Sequence, residues 1–127
     1  MQTTSFAQQT STMPKGAALI SGKSIQGTRV YSPAGDELGH IDDVMIDTAT
    51  GRTVYGVLQF GGFLGIGSDH HAIPFAKLTY DAARDGYVTD LTKEQLEAAP
   101  KQEETWRNDR DWQKRSHEHY GVAPYWM

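Results

Sequence analysis

Turn-forming clusters recur at short intervals through the middle of this chain and leave no room for a long helix. They are Pro33-Ala34-Gly35-Asp36, Ala49-Thr50-Gly51, Gly61-Gly62, the stretch 65–69 and Asp85-Gly86. Turn signals about 8–12 residues apart, separated by β-branched and aromatic runs, predict an all-β sandwich or barrel. The segments between them place strands at 28–32, 38–48, 52–60, 70–74, 78–81 and 87–91. In the second segment Ile41 lies on one phase of the two-residue strand period, and Val44 and Ile46 lie on the other. A bulge at Asp42-Asp43 brings all three to the inner face, the kind of kink a closing barrel uses. The third segment is apolar on both phases, with Val54, Leu58 and Phe60 on one and Tyr55 and Val57 on the other. That pattern predicts a strand buried on both faces, in mid-sheet or under a second surface.

Three zones follow from composition along the 127 residues. Residues 1–18 are rich in Thr, Ser and Gln, with Lys15 the only charge, and read as a flexible arm. Residues 19–100 form the folded domain. Residues 101–127 are a charged, aromatic-rich helical tail, in which ten of the nineteen residues 101–119 are charged, five of each sign. The start of the chain shows neither the basic stretch nor the apolar run of about 7–15 residues that a secretory signal needs. The most apolar stretch, 57–67, is about half the roughly 20 residues of a membrane span. The expectation is a soluble, cytoplasmic protein with no membrane span.

Charge and cysteine content remove several function classes. Twelve Lys and Arg against sixteen Asp and Glu give a net charge of −4. Direct nucleic-acid binding is disfavoured, because affinity for a phosphate backbone comes mainly from cations. The absence of cysteine excludes disulfide frameworks, thiolate metal sites and cysteine nucleophiles.

The folded zone closes with Thr92-Lys93-Glu94-Gln95, a capping box with Thr92 as N-cap and Gln95 three residues on, and Pro100 stops the short helix. A second helix is expected over 103–119. The opposite charges Glu103/Arg107, Asp111/Arg115 and Lys114/Glu118 sit four apart, as on a solvated helix.

Several blocks together resemble the PRC-barrel family: residues 35–47 (GDELGHIDDVMID), Thr50-Gly51-Arg52, Tyr55-Gly56-Val57-Leu58, residues 60–67 (FGGFLGIG), Ala72-Ile73-Pro74-Phe75, Leu78-Thr79-Tyr80 and residues 91–100. The resemblance covers residues 19–100. It implies a small, strongly bent β-barrel of about six strands that serves as an adaptor or docking surface, with no shared catalytic residues. The cytoplasmic barrel of the photosynthetic reaction centre H subunit and the C-terminal domain of a ribosome maturation factor are members, alongside short stand-alone bacterial proteins.

Taken singly, the residues that could carry chemistry favour structural roles. Gly61, Gly62, Phe63, Gly65 and Gly67 read as a barrel corner, since a phosphate loop needs Gly-Lys-Ser/Thr and Gly67 precedes Ser68-Asp69. Asp69-His70-His71 and His40 with Asp42 and Asp43 are the metal-like clusters, yet neighbours in a strand point to opposite faces. Asp47 adds a carboxylate without EF-hand spacing. His117 and His119, two apart on a helix, also diverge, and contiguous Ser68, Asp69 and His70 do not make a triad. The expectation is therefore no catalytic residue, metal or cofactor.

The tail aromatics are a different matter. Trp106, Trp112, Tyr120, Tyr125 and Trp126 crowd the last 22 residues, and aromatic surface of that extent demands cover. The cover is the chain's own barrel, a second copy or another protein, and these five residues are the candidate partner-binding set. The reading is a non-enzymatic protein-binding module that forms a homodimer and docks another, unidentified protein. The alternative is a small metal- or anion-binding enzyme at His70, His71 and the glycine corner.

Overall fold

A computed structural model describes residues 19–60 and 70–127. One helical turn, α1 (Gly22–Ile25), precedes strands β1 (Arg29–Tyr31), β2 (Glu37–Ile46), β3 (Thr53–Phe60), β4 (His70–Pro74), β5 (Thr79–Asp81) and β6 (Gly86–Val88). Helices α2 (Lys93–Ala98) and α3 (Arg110–Tyr120) follow, with 3-10 turns at Phe75–Lys77 and Trp106–Asn108. The arm 1–18 and the glycine corner, with Gly61, Gly62, Phe63, Gly65 and Gly67, lie outside the described residues.

The strands form a single six-stranded sheet in the order β4-β3-β2-β1-β6-β5. β1 and β6 run parallel, and the other neighbours are antiparallel. The expected closed barrel is not seen among the described residues: β4 and β5 remain edges. β5 has only three residues, and β4 is covered by other means. The N–H of Ala72 donates to Oε1 of Gln102 at 2.8 Å. Because outward groups alternate along a strand, the next outward position is Pro74, which has no N–H to offer. A side-chain amide and a proline thus protect this edge from pairing with another chain.

β2 carries the expected bulge. Its register against β3 shifts between Ile41 and Asp43, and shifts again between Met45 and Ile46. Ile41 is fully buried and Val44 packs against the core, but Ile46 is 56% exposed. The second irregularity puts its extra residue, Val54, in β3 and leaves β2 regular, so it does not turn Ile46 over; Ile46 is the last residue of β2, at the end of the sheet. Gly39 is required where β2 meets β3, because a Cβ there would lie 2.8 Å from the Cα of Phe60 and closer still to the carbonyl of Gln59. Gly51 turns the β2–β3 hairpin with φ +77°, open to glycine at little cost.

Two apolar clusters flank β3, with Leu58 and Phe60 in one and Tyr55 and Val57 in the other, as expected. Val54, expected on the phase of Leu58, instead joins the Tyr55 cluster, because it is the extra residue at the second register shift. Ile41, Leu58, Phe60 and Ile73 join Val30, Leu38, Tyr87, Leu91 and Leu96 in the larger one. Val54, Tyr55, Val57 and Ala72 pack with Trp106 and Trp112 in the other. The capping box forms as read: Gln95 N–H donates to Oγ1 of Thr92 at 3.1 Å, and the Thr92 N–H donates to Oε1 of Gln95 at 2.9 Å. The expected helix over 103–119 is broken, however. Asp109 ends the 3-10 turn and caps α3, its Oδ1 accepting from the N–H of Trp112 at 3.1 Å. Of the three charge pairs read from the spacing, Asp111–Arg115 forms an ion pair at 3.2 Å. The turn α1 was not expected; Ser21 caps it, accepting from the N–H of Lys23 at 3.2 Å.

Candidate functional site

The break at Asp109 decides where the tail aromatics go. Trp106 and Trp112 are six apart and share no helical stripe, yet the 3-10 turn folds Trp106 back until the two rings stand edge to face at 5.4 Å. Gln113, buried in α3, holds the turn in place. Its Nε2 donates to the carbonyls of Trp106 and Arg107 at 3.2 and 2.9 Å, and its Oε1 accepts from the Tyr125 hydroxyl at 3.0 Å. The indole N–H of Trp112 donates to the carbonyl of Lys101 at 2.9 Å. The side-chain amide of this glutamine and the indole N–H of Trp112 are thereby used within the chain.

Tyr55 of β3 is the centre on which the tail closes. Trp106, His117 and Tyr125 meet its ring edge to face at 5.5, 5.3 and 5.8 Å. The His117 ring is 2% exposed and held at both nitrogens. Nδ1 lies 3.1 Å from the carbonyl of Ala123, which only accepts, so Nδ1 carries the proton. Nε2 therefore accepts the Tyr55 hydroxyl proton at 2.7 Å. Burial pulls the His117 imidazole below its ordinary proton affinity, against a smaller opposing pull from backbone hydrogen bonds at Val122 and Ala123. Burial and the neighbouring Tyr125 push the Tyr55 phenol well above its ordinary range, with Arg110 opposing.

The five aromatics proposed from the sequence to bind a partner thus divide between the two faces of the chain's own sheet. Trp106 and Trp112, 6% and 3% exposed, belong to the outer cluster, and Tyr125 packs against it. Tyr120 reaches round the β4 edge into the larger core, where burial pushes its phenol up to about 12. Trp126 is half-buried beneath Arg110, whose guanidinium stacks on its ring at 3.9 Å. The cover these side chains need is supplied within the chain.

The histidines do not converge. His70 and His71 point to opposite faces of β4: Nε2 of His70 pairs with Oδ2 of Asp42 at 3.0 Å, while His71 stands edge to face with Phe60 at 5.8 Å. One member of each sequence-proposed metal cluster, His70 and Asp42, is brought together by the sheet. His40 lies two strands from His70, in the row His40–Gln59–His70. No group of three or more His, Asp or Glu among the described residues is arranged to hold a metal ion. His119 Nε2 donates to the carbonyl of Gln95 at 2.7 Å and ties α3 to α2. Asp43 and Asp47 are spent on local turns, accepting from the N–H groups of Val44 and Ala49 at 2.8 and 3.1 Å.

An open cleft of about 780 Å³ runs beside β4, between that edge and α3. His70, Lys101, Gln102, Trp112, Ser116 and Tyr120 are among its walls. Ser116 is 1% exposed, and its Oγ has no hydrogen-bond partner among the described residues. Nothing in the sequence singles it out, since a serine in a charged helix reads as surface.

The architecture defines a class: a mainly β domain, one six-stranded sheet packed by three helices. The family model of the PRC-barrel domain matches residues 19–96, and the chain belongs to that family. A search of curated proteins gives no match. The matched region stops within α2, so the 3-10 turn, α3 and all three tryptophans lie beyond it. No helix among the described residues is long and apolar enough to cross a membrane.

Proposed function

We propose that this PRC-barrel protein is a non-enzymatic protein-binding module, an adaptor that receives its partner in the cleft beside β4. The observation that carries the reading is the cleft beside β4. It is open, with His70, Lys101 and Gln102 lining it beside Trp112 and Tyr120. The side chains that might do chemistry are instead committed to the fold, as with His117 on Tyr55 and His119 on Gln95. The tail aromatics are consumed in covering the sheet, so the reading rests on the cleft and not on self-association.

Affinity capture with the full chain and with Lys101→Glu, an exposed change on the rim, tests it. A protein recovered by the native chain and lost from the variant supports the proposal. Equal recovery by both, or stoichiometric zinc that disappears on His70→Ala, counts against it.

A further inference from the structure

We infer that His117 is an acid-sensitive fastener: its neutral ring pins residues 106–126 to the outer face of β3, and protonation of the ring weakens that docking. The inference stands on an interface. The tail docks by laying Trp106, Trp112 and Tyr125 around Tyr55, and His117 is the polar pin in that docking, bonded to the sheet through Nε2 and to the returning chain through Nδ1. Both bonds are used in the neutral tautomer. A second ring proton would occupy the lone pair that receives the Tyr55 hydroxyl, so that hydroxyl would have to turn away and lose this acceptor.

Among the described residues, no carboxylate is recorded in contact with this ring to pair with the extra charge. From β3 the group facing His117 is Tyr55; from the C-terminal segment they are Tyr125 and Trp126, whose rings lie 6.1 and 5.9 Å away. The Arg110 guanidinium on the first turn of α3, stacked over Trp126, brings a positive charge and no counter-ion to this ring cluster. Lys114, Arg115 and Glu118 of the same helix are exposed, and no carboxylate is among the groups that shift the ring's proton affinity. His119 is the contrasting case. Its Nε2 donates to a carbonyl, a bond that protonation leaves intact.

The sign follows from linkage. An imidazole that binds its proton less readily when docked favours docking at neutral pH. That advantage is lost as pH falls through the ordinary value of about 6.5 toward the lower docked value. Within that window the ratio of docked to released tails falls by up to about tenfold per pH unit.

The experiment is an acid titration of the full chain, read by tryptophan emission, since all three tryptophans lie in the tail. The expected result is a reversible red shift with its midpoint below about 6.5, ahead of any loss of far-UV strand signal. His119→Gln keeps this transition. The double variant Tyr55→Phe/His117→Phe, which removes both hydrogen-bonding partners together, loses it. Should the double variant fail to fold, nitrogen NMR of the native imidazoles decides, with His117 expected to protonate together with the emission change. The inference is overturned if emission is unchanged down to pH ~5, or if strand signal is lost at the same midpoint. It is likewise overturned if the double variant retains the transition, or if the His117 ring titrates while the tail stays docked.

Discussion

Replacing Trp106 by alanine tests whether the tail is a structural part of the sheet. Trp106 is 6% exposed, lies edge to face with Tyr55 at 5.5 Å and with Trp112 at 5.4 Å, and belongs to the cluster on the outer face of β3. It sits in a 3-10 turn, so the substitution carries no helix-propensity gain to offset the loss. Its backbone carbonyl still accepts from Gln113, which confines the effect to the side chain. Truncating a buried tryptophan costs about 3–5 kcal/mol, of which each edge-to-face contact supplies roughly 0.5–1.5. Against a total stability of about 5–15 kcal/mol this is a large fraction. At about 4 °C per kcal/mol it lowers Tm by about 12–20 °C. The assay is urea unfolding of the full chain at pH ~7.5, followed by the far-UV strand signal, which reports the sheet and not the substituted turn. A loss of less than about 1 kcal/mol would refute the reasoning, because it would mean that β3 does not depend on the tail for its second face.

Three further outcomes are expected. Asp109→Ala removes the cap of α3 and costs about 1 kcal/mol in the same urea assay, with the 3-10 turn and helix less sharply divided by NMR. Gly39→Ala drives a Cβ into the backbone of Gln59 and Phe60, where no flexible side chain can yield, so the variant is recovered insoluble or with at least about 3 kcal/mol less stability. In an alkaline titration read by phenolate absorbance, Tyr55 and Tyr120 ionise well above the ordinary phenol value of about 10. Both phenols are raised by burial, so their contribution to stability is complete below about pH 10; that of Tyr120 is lost as pH rises from there toward about 12. Simultaneous ionisation of all six tyrosines would contradict the burial of these two.

Local chemistry made much of this protein legible from its sequence. Periodicity and turn residues place six strands, because a strand's two faces and the φ demands of a turn are properties of a few adjacent residues. The bulge in β2 and the two-sided burial of β3 are readable for the same reason, and so is the capping box at Thr92. Segments matched in order along residues 19–96 carry the family. What depends on distant contacts was not legible. Charge spacing favours one helix over 103–119, but the chain breaks at Asp109, because the break lets Trp106 reach Tyr55, a contact across 51 positions that no local pattern encodes. The aromatic content shows that burial is needed; only the tertiary structure shows that the chain's own β3 provides it. The same holds for His117 and Ser116. Both occupy a helix that reads as solvated, and their burial is decided by which face of α3 meets the sheet. The physical reason is that sequence fixes the preferences of neighbours, whereas the surface that covers a residue is chosen by the packing of segments far apart along the chain.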